Sequence, residues 1–288
     1  MEQIKYYLGF SLFQGIGPKR FLNLIEEFKT AEKAWFASVK ELKQVNLPLN
    51  LIKRFIDFRE KINLDKYKKK LEKDGIEYLS LSSSQYPFLL KQINNPPIGL
   101  FIRGQIKRKD QKAIAVIGTR KMTSYGRKVI RILVPKLVDQ GYTIVSGLAR
   151  GCDGEAHKNA LGKKGRTIAV LGSGLNNLYP PEHKVLAENI IAKNQGALVS
   201  EFPPKAQPRK GNFLMRNRIV SGMSKGVLVI EGASKSGTKN TTRWAADQGR
   251  EVFAVPGPIT SKMSQAPADL IKLGAKLVTG LEDILEEV

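Results

Sequence analysis

The 288-residue chain contains one cysteine and two histidines. A single thiol, Cys152, cannot close an internal disulfide and fits a reducing compartment. So few sulfur and imidazole ligands also argue against a zinc site. No apolar run is long enough to span a bilayer. The opening MEQIKYYLGFSLFQGIG carries Glu2 and Lys5, breaks its apolar run with glycines and lacks a small-residue cleavage site, so it does not read as a secretory signal. We therefore expect a cytoplasmic location, no metal and no cofactor. Acidic residues are also scarce: 26 against 48 Lys and Arg, a formal charge of +22. Residues 1–111 hold 21 basic and 12 acidic residues, and residues 112–288 hold 27 and 14, so the excess is not a tail. A lysine-rich surface aids solubility by itself, but charge on this scale favours a polyanionic partner.

The hydrophobic pattern divides the chain into two regions. Residues 1–65 predict a small N-terminal helical domain of helix-hairpin-helix or SAM-like type. Phe21, Leu24, Ile25 and Phe28, then Leu51, Ile52, Phe55 and Ile56, recur at helical spacing. Between helices lies FQGIGPKR, whose Gly15 and Gly17 resemble a nucleic-acid-binding hairpin and equally an ordinary turn. Residues 66–288 predict the larger domain. A charged helix, NLDKYKKKLEKDG, leads into two short strands, IEYLSLSS and LFIRG. Next come the runs AIAVIG, YTIVSG, TIAVLG, ALVSEF, VLVIEG and VFAVPG, apolar throughout as strands buried on both faces are. Helical segments separate most of them, which predicts an α/β fold with a doubly wound, mostly parallel, extended Rossmann-like sheet. Pro135 predicts a kink or a late start in the first of these helices.

Ligands of such sheets bind at the carboxyl ends of the strands. Five of the six runs end in glycine, at Gly118, Gly147, Gly172, Gly232 and Gly257. The first turn, GTR, lacks the G-x-G-x-x-G of a dinucleotide fold. It offers Gly118, Thr119 and Arg120, a combination suited to phosphate. The later loops add hydroxyls and arginines, in SGLARGCDGEAH, GSGLNNLYPPEH and SKSGTKNTT. In FLMRNRIVSGMS, Arg216 and Arg218 stand just before a helix, and one of the two can reach the rim.

These stretches together resemble the DNA processing protein A (DprA/Smf) family. AVIGTR, IVSGLARGCDGEAHKNAL, IAVLGSGLNNLYPPEH, NFLMRNRIVSGMS, VLVIEGASKSGTKNTTRWAADQGREVFAVPG and DLIKLGA occur in the family's order, over roughly residues 75–282. The resemblance implies a non-catalytic, homodimeric single-stranded DNA binder that protects incoming DNA and helps load the RecA recombinase in natural transformation. It places DNA phosphates on Gly118, Thr119, Arg120, Ser146, Gly147, Gly172, Ser173, Gly174, Arg216, Arg218, Ser236, Gly237 and Thr238. Two departures stand out. Lys239 and Asn240 occupy positions that are usually apolar in the family, and QAPADLIKLGA lacks its G-x-N. Many members carry a winged-helix domain beyond the stretch matched by GLEDILEEV; with the last residue at Val288, we expect none here.

Other readings compete. Arg120 contacts phosphate or pairs with Glu201 or Glu231. Tyr179 and Phe213 flank the rim loops, as base-stacking residues or as core. Asp153 and His157, four apart, suit a helix cap and a loop contact better than acid–base chemistry, and Cys152 reads as a packing residue. A nucleotide-processing enzyme of phosphoribohydrolase type would use the same loops with Glu201 or Glu231 as base, but no P-G-G-x-G-T motif is present. A dinucleotide oxidoreductase has only the partial match GSGLNN. In a scaffold protein, the acidic end GLEDILEEV would be an interaction tip; as a solvated terminal helix it would need no partner.

Overall fold

The structure, a computed structural model, describes residues 2–288 apart from Lys193 and Lys235. Six helices come first: α1 (Glu2–Leu12), α2 (Pro18–Phe28), α3 (Ala31–Phe36), α4 (Val39–Gln44), α5 (Leu49–Lys61) and α6 (Leu64–Lys73). Pro18 opens α2, where its missing N–H removes no helical hydrogen bond. Thr30 and Ser38 cap α3 and α4 through their side-chain oxygens. Apolar faces close on an aromatic cluster in which the Phe10 ring stacks on Phe55 at 5.2 Å and meets Trp35 edge-on at 5.4 Å. Leu8 of α1 and Leu71 of α6 pack instead with sheet residues Phe101 and Leu198. The division expected at residue 65 falls in the first turn of α6, a helix that packs on α1. The helical layer thus shares a core with the sheet.

The remaining elements run β1 (Glu77–Ser80), α7 (Phe88–Lys91), β2 (Gly99–Gly104), β3 (Ala113–Ile117), α8 (Ser124–Asp139), β4 (Thr143–Ser146), α9 (Cys152–Gly162), β5 (Thr167–Val170) and α10 (Lys184–Ala192). Then come β6 (Gly196–Ser200), α11 (Lys210–Gly222), β7 (Gly226–Val229), α12 (Thr238–Asp247), β8 (Glu251–Ala254), α13 (Gln265–Lys272), β9 (Lys276–Leu277) and α14 (Glu282–Leu285). The nine strands form one sheet in the order β1-β2-β6-β5-β4-β3-β7-β8-β9. β2 runs antiparallel to both its neighbours, β1 and β6, and every other pair is parallel.

Side chains alternate across the sheet, yet both faces are buried. Ala113, Ala115 and Ile117 meet Ile219 and Val220 of α11, while Ile114 and Val116 meet Ile130 and Val134 of α8. That two-sided burial is why the strands lack polar alternation. Pro135 lies inside α8, which runs unbroken from Ser124, so the late start expected from the sequence does not occur. The acidic end is tied down. Ile284 is buried, Lys276 Nζ reaches Glu286 at 3.1 Å and Glu287 at 3.0 Å, and Asp283 accepts from the Thr279 and Gly280 amides. It is a docked helix and not a free tip. Among the described residues, no helix is long and apolar enough to cross a membrane.

Candidate nucleic-acid interface

Strand order reverses at β3: β4, β5 and β6 lie to one side, β7, β8 and β9 to the other. The crevice above β3 and β7 is therefore the topological switch point, where open α/β sheets place ligands. A cleft of about 670 Å3 opens there. Gly118, Thr119, Arg120 and Lys121 after β3 form one wall, and Ser236, Gly237 and Thr238 at the start of α12 form the other. Gly147, Tyr179, Lys210, Phe213 and Arg216 complete it.

Arg120 is exposed, with its guanidinium carbon 5.8 Å from the centre of the Phe213 ring. It pairs with neither expected glutamate. Glu201 is held by Arg218, and Glu231 accepts from the Thr123 amide at 2.9 Å and the Thr123 hydroxyl at 2.5 Å. Arg216 is 5 % exposed and fixed from below. Its Nη1 donates to the Gly147 carbonyl at 2.6 Å and to the Val170 carbonyl, tying the ends of β4 and β5 together. A Cβ at Gly147 would lie 2.5 Å from Arg216 Nη1, so any larger residue there would push the guanidinium off these carbonyls. Burial lowers the Arg216 pKa to about 10, with Asp153 opposing the shift and Arg120 adding to it, so the group stays charged at neutral pH.

Among the described residues, Asp153 is the one carboxylate lining the cleft, and it is already occupied. Its Oδ2 accepts from the amides of Gly147 at 3.2 Å and Ala149 at 3.3 Å. Burial raises its pKa; Arg216 and the two amides counter the rise. An internal carboxylate thus fills the amide nest that the family resemblance assigns to DNA phosphate at the Ser146-Gly147 turn. Asp153 caps no helix; it braces this loop. His157 is buried below it, and with the Thr167 hydroxyl donating to the Ile144 carbonyl, His157 Nδ1–H donates to Thr167 Oγ1 at 2.6 Å. It contacts a strand and not a loop. Burial, His183 and Arg216 hold its pKa down to about 3. The unfolded chain takes up that proton near the ordinary 6.5, so His157 costs stability as pH falls from about 6.5 toward 3. His157→Gln is expected to lose less stability than wild type between about pH 7.5 and about pH 5, read as urea midpoints. Equal acid sensitivity in the two proteins would remove His157 from the account.

Gly118, Thr119, Arg120, Gly147, Arg216, Ser236, Gly237 and Thr238 come together with both candidate stacking residues. The Tyr179 and Phe213 rings lie 5.5 Å apart, half-buried and inclined by 52°. Ser236 and Thr238 bond each other through their hydroxyls, while the Thr119 amide donates to the Glu231 carbonyl and the Thr119 hydroxyl oxygen accepts from the Lys121 amide at 3.1 Å. Five expected residues are not on the cleft. Ser146 is fully buried and donates to the Val116 carbonyl at 2.6 Å. Phe213 covers Gly172, Ser173 donates to the Asn177 carbonyl, and the Gly174 amide donates to the Ala206 carbonyl, so loop 203–206 closes that turn. Arg218 is 0 % exposed and bound to Glu201. Both arginines lie within α11, which begins at Lys210 and not after them. Lys121 and Lys210 also line the cleft, the first directly after Arg120 and the second two residues before the NFLMRNR stretch.

The two departures from the family pattern meet. Lys239 Nζ pairs with Asp269 of QAPADLIKLGA at 3.1 Å, and Asn240 accepts from Asn217 at 3.1 Å. Each polar newcomer therefore has a partner, and α12 needs no apolar residue at either position.

Fold and cleft define an extended Rossmann-type protein with a crevice lined by basic side chains at its switch point. The chain belongs to the DNA processing protein A (DprA/Smf) family: residues 77–288 match the family described as DNA recombination-mediator protein A. It is 45% identical to DNA processing protein DprA of Bacillus subtilis over 215 residues, 74% of this chain and 72% of that protein. Protein Smf of Escherichia coli is 44% identical over 247 residues, 86% of this chain and 66% of that one. Among solved structures, DNA processing protein A of Streptococcus pneumoniae superposes with a TM-score of 0.85 at 32% identity, covering 98% of this chain and 96% of that one. DNA processing protein A of Helicobacter pylori, solved to describe its single-stranded DNA binding mode, gives 0.64 at 29% identity, covering 73% and 94%.

Proposed function

We propose that this protein binds single-stranded DNA in the switch-point cleft, independently of sequence and without chemistry of its own. The observation that carries the reading is the cleft's imbalance of charge. Arg120, Lys121, Lys210 and Arg216 line it, and the carboxylate described there, Asp153, is consumed by backbone amides. Phosphates supply the missing negative charge, and Tyr179 and Phe213 offer rings that stack on any base. The competing nucleotide-enzyme reading needs a free base. Glu201 is bound to Arg218 and Glu231 to Thr123, so neither expected glutamate is placed to act. On the strength of the family, we extend the proposal to a homodimer that protects incoming DNA and helps load RecA in natural transformation. Leu277, exposed on the outer strand β9, and Leu273, exposed just before it, are consistent with self-association.

The test compares oligo-dT with a mixed-sequence strand of equal length by fluorescence anisotropy, and assays nucleoside monophosphates for turnover. Affinities within a few-fold and no turnover are expected. Strong preference for one sequence, or measurable hydrolysis, would overturn the reading.

A further inference from the structure

A second groove, of about 340 Å3, lies beside the cleft, between the α1–α2 hairpin and the loop after β6. The hairpin Gly15-Ile16-Gly17 forms one wall, and Phe202, Arg209 and Met215 stand opposite. The first turns of α11 are the ridge between groove and cleft. Lys210 and Leu214 line the cleft side, and Arg209 and Met215 line the groove side. Leu214 and Met215 are 44% and 41% exposed, so the ridge crest is apolar and open.

Charge around this groove has one sign. Arg209 lines it, with Lys19 and Lys205 exposed on the adjoining segments. Arg20 donates to the Gly15 carbonyl at 2.7 Å and Arg54 to the Gln14 carbonyl at 3.0 Å, so the hairpin's carbonyls are turned to cations. Among the described residues, the groove's one carboxylate, Glu201, is neutralised by Arg218. Neither Lys19 nor Arg209 enters an ion pair among the described residues.

Resting on the proposed cleft function, we propose that this groove is the continuation of the single-strand track. A strand leaving the cleft crosses the Lys210 ridge and lays its next nucleotides between hairpin and loop. Bases lie against Met215 and Phe202, and phosphates lie on Arg209 and Lys19. The N-terminal helical layer is then a wall of the DNA site, which gives its shared core with the sheet a role in holding the groove open.

The test uses the double charge reversal Lys19→Glu with Arg209→Glu, both at exposed positions, and labelled oligo-dT of two lengths. A strand of roughly six nucleotides fills the cleft alone, and one of roughly twenty reaches the groove. The variant is expected to bind the short strand within about twofold of wild type and the long strand about tenfold or more weakly. Its salt slope on the long strand falls by roughly 1.4, about 0.7 for each lost phosphate contact. A variant that matches wild type on the long strand, or loses both lengths equally, overturns the groove alone. Wild-type protein that binds neither length contradicts the cleft reading, and the groove falls with it.

Discussion

Arg120→Ala is expected to weaken single-stranded DNA binding by roughly ten- to a hundredfold, the equivalent of one charge-assisted hydrogen bond worth about 1.5–3 kcal/mol. Arg120 is exposed, free of either neighbouring glutamate and poised over Phe213 at the mouth of the cleft. Its removal leaves no buried partner stranded, so the thermal midpoint should stay close to wild type. That separation distinguishes it from Arg216, whose loss would free two backbone carbonyls and slacken the strand ends as well as the cleft. Anisotropy beside a thermal melt checks both halves. Unchanged affinity in a folded variant would take Arg120 out of the site.

Arg218→Met is expected to act in the opposite way, costing about 3–5 kcal/mol of stability by leaving the Glu201 carboxylate buried without its cation. Burial already raises the Glu201 pKa despite Arg218. A raised pKa means the folded state takes up a proton more readily than the unfolded chain, so stability from that proton is present in acid and lost as pH rises. The deficit of the variant should therefore shrink as pH is lowered. Adding Glu201→Leu to the same chain should recover most of the loss, because no charge is then left unpaired. Urea unfolding of the two single variants and the double variant completes the cycle. A double variant as unstable as Arg218→Met would show that the pair is not the source of the cost.

The contrast between these two arginines shows where sequence reading ran out. Apolar runs, five of the six ending in glycine, marked the strands from β3 to β8, because a strand buried on both faces has no polar alternation to hide it. Arg120 was legible for the same reason: it comes just after a strand end, where the chain emerges from the sheet. Arg216 and Arg218 share one motif, but two residues along α11 turn them apart, one to the cleft and one to Glu201. Spacing predicts that divergence without saying which side faces solvent. The Ser146-Gly147 and Gly172-Ser173-Gly174 turns have the composition of phosphate loops. Their donors are taken by Asp153, Val116, Asn177 and Ala206, partners 6, 30, 4 and 32 positions away that only the fold brings near. The pairing of Lys239 with Asp269 was hidden likewise, since each half looked like a separate irregularity.

The most direct measurement is the affinity of wild type and Arg120→Ala for oligo-dT across a salt series. A cleft that works by neutralising phosphates predicts a straight, steep fall of log affinity with log salt for wild type. The variant's slope is expected to be shallower by roughly 0.7, the share of one phosphate contact on a single strand. A wild-type affinity that barely changes with salt, or identical slopes in the two proteins, would contradict it.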